Sequence, residues 1–251
     1  MLTEERRARI LDRLRVQGRV LAADLWREFD VSADTIRRDL RELDRAGQVR
    51  RVHGGALPRQ GDSSSFGARA ARAPQAKTSI ARRAAGLARD GQVILLDGGT
   101  TTLEVALALS PDLQAEVITN SLPVALALAE HEHVEVAVVG GGLRRRSRVT
   151  AGAVAVGALR SVRADLLFLG VCGLHPEIGV TVDDVEERHV KAAMIHGAAA
   201  VVGLADHDKL GTALSYVVAS LSEITYLVTD AGAAAAALAP YRALGIEVLT
   251  A

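Results

Sequence analysis

Between residues 93 and 249 short apolar runs alternate with longer helix-like stretches. The runs fall at 93–96, 117–119, 134–139, 166–169, 200–204, 224–228 and 246–249 and are rich in Leu and β-branched residues. Helix-like stretches at 103–109, 122–129, 185–196 and 231–238 lie among them. Parallel strands need long crossover connections, usually helices, so this alternation predicts an α/β domain with a mostly parallel sheet and helices on both faces. Apolar residues make up 49% of the chain, enough to fill such a core.

Ligands bind beyond the carboxyl ends of strands in sheets of this kind, so the residues after each run carry the functional information. The first run ends in Asp97-Gly98-Gly99-Thr100-Thr101-Thr102 and opens a helix. Glycines admit a ligand close to the backbone, and helix N-terminal amides with threonine hydroxyls donate to a phosphate. The second run ends in Thr119-Asn120-Ser121 and the third in Gly140-Gly141-Gly142. Neither a GxGxxG fingerprint nor a Walker A loop is present, so no dinucleotide or ATP site is expected. Three small polar loops at successive strand ends predict a shared oxyanion site. The chain has 27 Arg but only three Lys, at 77, 191 and 209. Lys191 follows the acidic stretch Asp183-Asp184-Val185-Glu186-Glu187, and Lys209 follows a strand, where a compact ammonium suits a phosphate or an acidic partner.

The first 57 residues have a different pattern. Thr3 is placed to cap a helix running to Gln17, with Ile10, Leu11 and Leu14 on one face and Gly18 as its stop. Val20 and Leu21 suggest a short extended link, and Leu25, Trp26 and Phe29 a second, shorter helix. Ser32 is a natural cap for a third, with Val31 and Ile36 at the spacing of a hydrophobic staple. Ile36, Leu40 and Leu43 face inward, Gly47 ends the helix, and Thr35, Arg37, Arg38, Arg41 and Arg45 line the outer face. Two helices joined by a tight turn, the second basic outside, suit the major groove of DNA. The run 48–55, with Arg51 and His53, reads as a basic strand and glycine turn: a wing.

The formal net charge is zero, but residues 1–83 hold 19 Arg and Lys against 11 Asp and Glu, and the remainder the reverse. A basic head and an acidic body suit a polyanionic partner for the head.

The run Val31-Ser32 … Thr35-Ile36-Arg37-Arg38-Asp39-Leu40 … Leu43 … Gly47 … Arg51-Val52-His53-Gly54-Gly55-Ala56 resembles the DeoR family of bacterial transcriptional regulators. Asp97-Gly98-Gly99-Thr100-Thr101, Thr119-Asn120-Ser121, Gly179-Val180-Thr181, Glu187, Lys191 and the 206–209 loop are similar to that family's effector domain. The resemblance implies a winged helix-turn-helix followed by a domain like ribose phosphate isomerase and CoA-transferases in fold. It implies a repressor of carbohydrate-metabolism genes, released from double-stranded operator DNA by a sugar phosphate. The expected DNA-contacting set is Ser32, Thr35, Arg37, Arg38, Arg41, Arg51 and His53. The expected effector set is Asp97, Gly98, Gly99, Thr100, Thr101, Thr102, Thr119, Asn120, Ser121, Gly141, Glu187, Lys191 and Lys209.

The alternative is a sugar phosphate isomerase-like enzyme with an added DNA-binding head. Isomerisation needs a general base near a sugar carbon, and the isomerase relatives place an acid-rich loop after the fourth strand. Here that loop reads Gly170-Val171-Cys172-Gly173-Leu174-His175, without a carboxylate, which argues against isomerase activity; Asp183, Asp184, Glu186 and Glu187 could still supply a base, and no catalytic residue is assigned. The histidine spacings match no zinc pattern, and neither metal nor cofactor is expected. Cys172, after a buried strand, is expected to be packed. The expected layout is a DNA-binding domain over 1–57, a flexible linker over 58–74 and an effector domain over 75–251. With no membrane span, no signal-peptide pattern and one cysteine, a cytoplasmic homodimer or homotetramer is expected.

Overall fold

A computed structural model describes residues 2–17, 20–52, 54–58 and 65–251. The expected roles of Gly18 and His53, and the serines at 63 and 64 in the linker, fall outside the described residues.

The head comprises α1 (Thr3–Gln17), β1 (Val20–Leu21), α2 (Ala22–Glu28), α3 (Ala33–Arg45), β2 (Val49–Val52) and β3 (Gly55–Pro58). Ser32 caps α3, its Oγ accepting from the Thr35 amide at 3.2 Å, an amide with no partner inside the helix. Ile36, Leu40 and Leu43 pack against Ile10, Leu14 and Leu25, with Val31 at the edge of the same cluster. Asp39, quoted in the sequence without a structural role, is buried and accepts from Nε of Arg6 (2.5 Å) and of Arg7 (3.2 Å), fixing α3 against α1. The expected link at Val20–Leu21 is a strand: β3 lies between β1 and β2 in an antiparallel sheet.

The connecting segment departs from the flexible linker expected over 58–74. It contains α4 (Phe66–Ala71), capped by Ser65 Oγ, which accepts from the Ala68 amide at 3.3 Å. Phe66 is buried, with the Arg148 guanidinium 4.9 Å from its ring centroid. One large apolar residue creates no periodicity, so this helix had no signature in the sequence. Helix α5 (Pro74–Ala85) follows, with Pro74 in its first turn, where a missing N–H costs nothing.

The body continues with β4 (Val93–Leu96), α6 (Thr100–Ala108), β5 (Ala115–Thr119), α7 (Leu122–Leu128), β6 (Val134–Val138), β7 (Gly142–Arg144), β8 (Val149–Ala151) and α8 (Ala153–Arg160). It ends with β9 (Ala164–Gly170), β10 (Gly173–His175), β11 (Gly179–Val182), α9 (Val185–Gly197), β12 (Ala198–Leu204), β13 (Tyr216–Ala219), β14 (Tyr226–Thr229), α10 (Ala235–Ala243) and β15 (Glu247–Thr250). All seven expected runs enter one parallel sheet, ordered β15-β14-β12-β9-β4-β5-β6. Alternate residues of its strands face opposite sides: Leu95 and Leu167 pack beneath α8, α9 and α10, while Ile94, Leu96 and Phe168 pack beneath α5, α6 and α7. The hairpin β7–β8 and the small antiparallel sheet β10-β11-β13 were not foreseen, being strands of three or four residues. Among the described residues no helix is long and apolar enough to cross a membrane.

Candidate functional site

Strands β4 and β9 lie side by side, and the chain runs outward from this pair in opposite directions. Their carboxyl ends therefore form the switch point of the sheet, where a crevice opens. A cleft of about 240 Å³ occupies it. Its floor is Gly98, Gly99, Thr100 and Thr101 after β4, and Gly170, Val171 and Cys172 after β9. Helix α6 starts here with no side chain capping its first amides. Gly98 is sterically required, since a Cβ there would lie 2.1 Å from Val149 Cγ1.

All three lysines line this cleft. The Lys77 ammonium is buried and donates to the carbonyl oxygens of Arg69 and Arg72, at the end of α4. Burial, then the nearby charge of Lys209, pushes the Lys77 pKa below the ordinary lysine range. Lys209 is half-buried, its Nζ 3.5 Å from Asp206 Oδ2. Arg69, Arg72 and Ala73, from the segment between the domains, complete this wall. The opposite wall holds Arg146, which donates to Asp183 at 2.5 Å, and Ser147. Ser147 Oγ is buried without a hydrogen-bond partner among the described residues. Glu187 also lines the cleft, as expected residues Gly98, Gly99, Thr100, Thr101, Lys191 and Lys209 do.

The remaining expected residues lie elsewhere. Asp97 is buried against Lys191, which also donates to the Gly170 carbonyl at 2.8 Å. Burial opposes the lysine charge, but Asp97 and the other groups around it together outweigh burial and the Lys191 pKa is raised. This pair joins the ends of β4 and β9 to α9, so the ammonium is already occupied. Thr102 is buried and donates to the Gly99 carbonyl at 3.0 Å. Thr119 donates to the Leu96 carbonyl at 2.5 Å, Asn120 Nδ2 to the Thr150 carbonyl at 2.9 Å, and Ser121 caps α7. Hairpin β7–β8 lies over this second loop, and the gap among Asp97, Asn120 and Thr150 has no room for a water molecule. Gly141, at φ +136°, allows close approach to β8: a Cβ would lie 2.6 Å from the Ala151 carbonyl oxygen.

Cys172 is exposed, not packed. Val171 turns into the core, so its neighbour faces the cleft. The lining residues not singled out beforehand are Arg69, Arg72, Ala73, Arg146 and Ser147, while Asp206 and Asp208 come from the 206–209 loop named in the sequence. Lys77 had a visible signal in the scarcity of lysine. Arg69 and Arg72 had none, standing among many arginines.

His207 Nδ1 lies 2.7 Å from Asp230 Oδ2 beside the cleft. The hydrogen bond to Asp230, then its charge, raises the His207 pKa; for Asp230, the gain from His207 exceeds the opposing effect of burial and lowers it. A raised histidine stabilises the fold at low pH and loses that contribution as pH rises through its folded pKa; a lowered aspartate contributes at high pH and loses it on acidification. The pair is therefore fully formed between those two values. An NMR titration is expected to place His207 above the ordinary imidazole range and to move it down in Asp230→Asn; an unmoved titration would break the assignment.

On the head, Arg37, Arg38 and Arg41 are exposed along the outer face of α3, with Thr35 partly exposed among them. Arg37 pairs with Asp34 at 2.8 Å, while Arg38 and Arg41 have no ion-pair partner among the described residues. Arg51 is exposed on β2. Ser32 Oγ serves the helix cap and lies 2.8 Å from Thr35 Oγ1.

Residues 6–59 match the family model of the DeoR-like helix-turn-helix domain, and residues 72–231 that of the DeoR C terminal sensor domain. The chain is 38% identical to the HTH-type transcriptional regulator GlpR of Haloferax volcanii over 92% of this chain and 91% of that one. It is 37% identical to the HTH-type transcriptional repressor GlcR of Bacillus subtilis over 92% of this chain and 89% of that one. Among solved structures, ribose 5-phosphate isomerase A from Methanocaldococcus jannaschii aligns at 18% identity over 53% of this chain and 52% of that one, with a TM-score of 0.40.

Proposed function

This chain belongs to the DeoR family of transcriptional regulators and is a DNA-binding repressor of that type; from that premise we propose that a phosphorylated sugar binds the cleft at the β4–β9 switch point and lowers operator affinity, controlling genes of carbohydrate metabolism. The observation that carries the reading is the meeting of an uncapped helix N-terminus with Lys77 and Lys209 in one cleft. Amides of α6 and the lysines take the phosphate, while Ser147, Asp183 and Glu187 take sugar hydroxyls. The unpartnered Ser147 hydroxyl favours a polar ligand, because an unmet buried hydroxyl is costly.

The switch follows from the walls of the cleft. Residues 69, 72 and 73 belong to the segment that leads to the head, and Lys77 holds the end of that segment by its carbonyls. A phosphate drawing on Lys77 changes the hold on α4, so the ligand favours one placement of the heads over another. Asp97, Thr102, Thr119, Asn120, Ser121, Gly141 and Lys191 shape the cleft from behind instead of touching the ligand. The sensor reading is supported by the loop after β9, which carries no carboxylate, while Asp183 and Glu187 in the cleft make turnover the test of the enzyme alternative. Incubation with pentose and hexosamine phosphates is expected to give no turnover; measurable isomerisation would restore the enzyme reading.

The reader of DNA is α3, with Thr35, Arg37 and Arg38 toward the groove and Arg41 and Arg51 toward phosphates. Arg38→Ala is expected to weaken binding to a duplex selected for tight binding by about 1–3 kcal/mol, as for loss of a bidentate base contact. Wild-type affinity is expected to fall steeply with added salt, because phosphate contacts release counterions. Unchanged affinity in both Arg37→Ala and Arg38→Ala, or a salt-independent complex, would rule out this face.

A further inference from the structure

Helix α4 has six residues. A helix that short does not persist in water unaided, because so few hydrogen bonds cannot offset the cost of nucleation. What holds it are contacts at both of its ends. At its start Phe66 is buried, and the guanidinium of Arg148, in the turn between β7 and β8, lies over the ring. From the same turn the Arg146 carbonyl oxygen accepts from Arg69 at 3.4 Å. At its end Lys77 of α5 donates to the carbonyl oxygens of Arg69 and Arg72. So placed, the segment sets Arg69 and Arg72 in the wall of the cleft. Two backbone strains border it. Three residues other than glycine have positive φ among the described residues, and two of them are Ala73, at +44° between α4 and α5, and Arg148, at +58° over Phe66. A left-handed backbone is costly for a residue with a Cβ and persists only where its surroundings impose it; such strain gathers at switch regions.

An anion in the cleft changes the balance. Docking brings Arg69 and Arg72 beside Lys77 and Lys209, and the Lys209 charge already opposes a charged Lys77. Asp206 answers Lys209, and Asp183 answers Arg146. A lysine ammonium has three donors, so Lys77 can keep both carbonyls of the α4 segment and still give one proton to an anion. An anion therefore meets two more guanidinium groups when α4 is docked, binds that arrangement more tightly and shifts the population toward it. On the reading of the cleft as the anion site, on which this step rests, we propose that α4 is a strap that closes on the anion and thereby shortens the tether of the DNA-reading head. The head ends at Pro58, so docked α4 leaves residues 59–65 as the connection, and released α4 leaves 59–73. Those lengths reach at most about 25 Å and about 50 Å. A filled cleft holds the head close to the body, and an empty one lets it range to a DNA site.

Inorganic phosphate is the probe, added to the full chain with chloride matching its ionic strength in the control. Hydrogen exchange at the amides of residues 68–72 is expected to slow by about tenfold in saturating phosphate, with α1 unchanged. Phe66→Ala is expected to abolish that slowing and to weaken phosphate binding in calorimetry by about fivefold, whereas Phe66→Leu, which still fills the seat, is expected to keep most of both. Inserting about eight Gly and Ser residues after Gly61 makes up the lost reach. That variant is expected to bind phosphate as wild type does, yet to hold a duplex selected for tight binding equally well with and without it, where wild type loses affinity. Lys209→Ala separates the strap from the cleft. Phosphate binding by wild type and not by Lys209→Ala, with exchange at 68–72 still fast, would keep the cleft and overturn the strap. Slowed exchange with wild type unmoved on the duplex, or with the insertion variant released as readily as wild type, would overturn the tether. Phosphate binding that Lys209→Ala leaves unchanged would overturn the cleft reading and the strap with it. Should Phe66→Ala lose its far-ultraviolet circular dichroism, wild type, Phe66→Leu and the insertion variant decide.

Discussion

Lys191→Met is expected to destabilise the α/β domain by about 3–5 kcal/mol, the range for a buried ion pair that loses one partner. Asp97 would remain buried between β4 and β9 with its countercharge gone. The carboxylate would keep its bond from the Gly170 amide at 3.0 Å, a partial replacement. The double variant Asp97→Leu, Lys191→Met removes both charges and is expected to recover much of the loss, since apolar pairs often replace buried ion pairs without penalty. Urea denaturation followed by circular dichroism measures both variants. Were Lys191 a ligand of the effector instead, Lys191→Met would be as stable as wild type and deficient only in its response to sugar phosphate.

Lys209→Ala is expected to weaken binding of a sugar phosphate by roughly 10- to 150-fold, equivalent to about 1.5–3 kcal/mol for a hydrogen bond to a charged group. Its fold is expected to be little changed, because Lys209 is half-buried and its contact with Asp206 is a 3.5 Å pair within one turn. Thr101→Val is expected to act in the same direction and less strongly, since the helix amides remain. The unphosphorylated sugar is expected to bind wild type weakly and to be indifferent to Lys209→Ala. Calorimetric titration of the phosphorylated and free sugars against both proteins separates these cases. A Lys209→Ala protein that binds the phosphate as wild type does would move the anion site elsewhere.

The parallel sheet was legible because its central strands, such as β4 and β9, are largely buried on both faces and read as apolar runs, and helices separate the strands. Helix α3 was legible for a different reason: Ser32, Ile36, Leu40 and Leu43 encode cap and core at fixed spacing within one segment. Helix α4 was not, because Phe66 docks against Arg148, far along the chain, and no local pattern records that contact. The first strand-end loop announced its position in the cleft through Gly98 and Gly99. The second did not announce that it is covered: Thr119, Asn120 and Ser121 look like ligand groups, yet Thr150 and the hairpin around it claim their neighbourhood. Lys191 lines the cleft as expected, but its pairing with an acidic residue 94 positions earlier in sequence was not legible there. Polar residue types show that hydrogen bonds will be made; only tertiary structure shows with whom.

The central claim is tested most directly by titrating sugar phosphates against a fluorescently labelled operator held by the full chain, in wild type and in Lys209→Ala. Fluorescence anisotropy reports the bound fraction. Equal operator affinity is expected for the two proteins without ligand, because Lys209 lies in the body. At least one sugar phosphate is expected to release wild type from DNA at a concentration where the unphosphorylated sugar does not and where Lys209→Ala stays bound. Release of Lys209→Ala at the same concentration as wild type, or release by free sugar and sugar phosphate alike, would contradict control by an anion in this cleft.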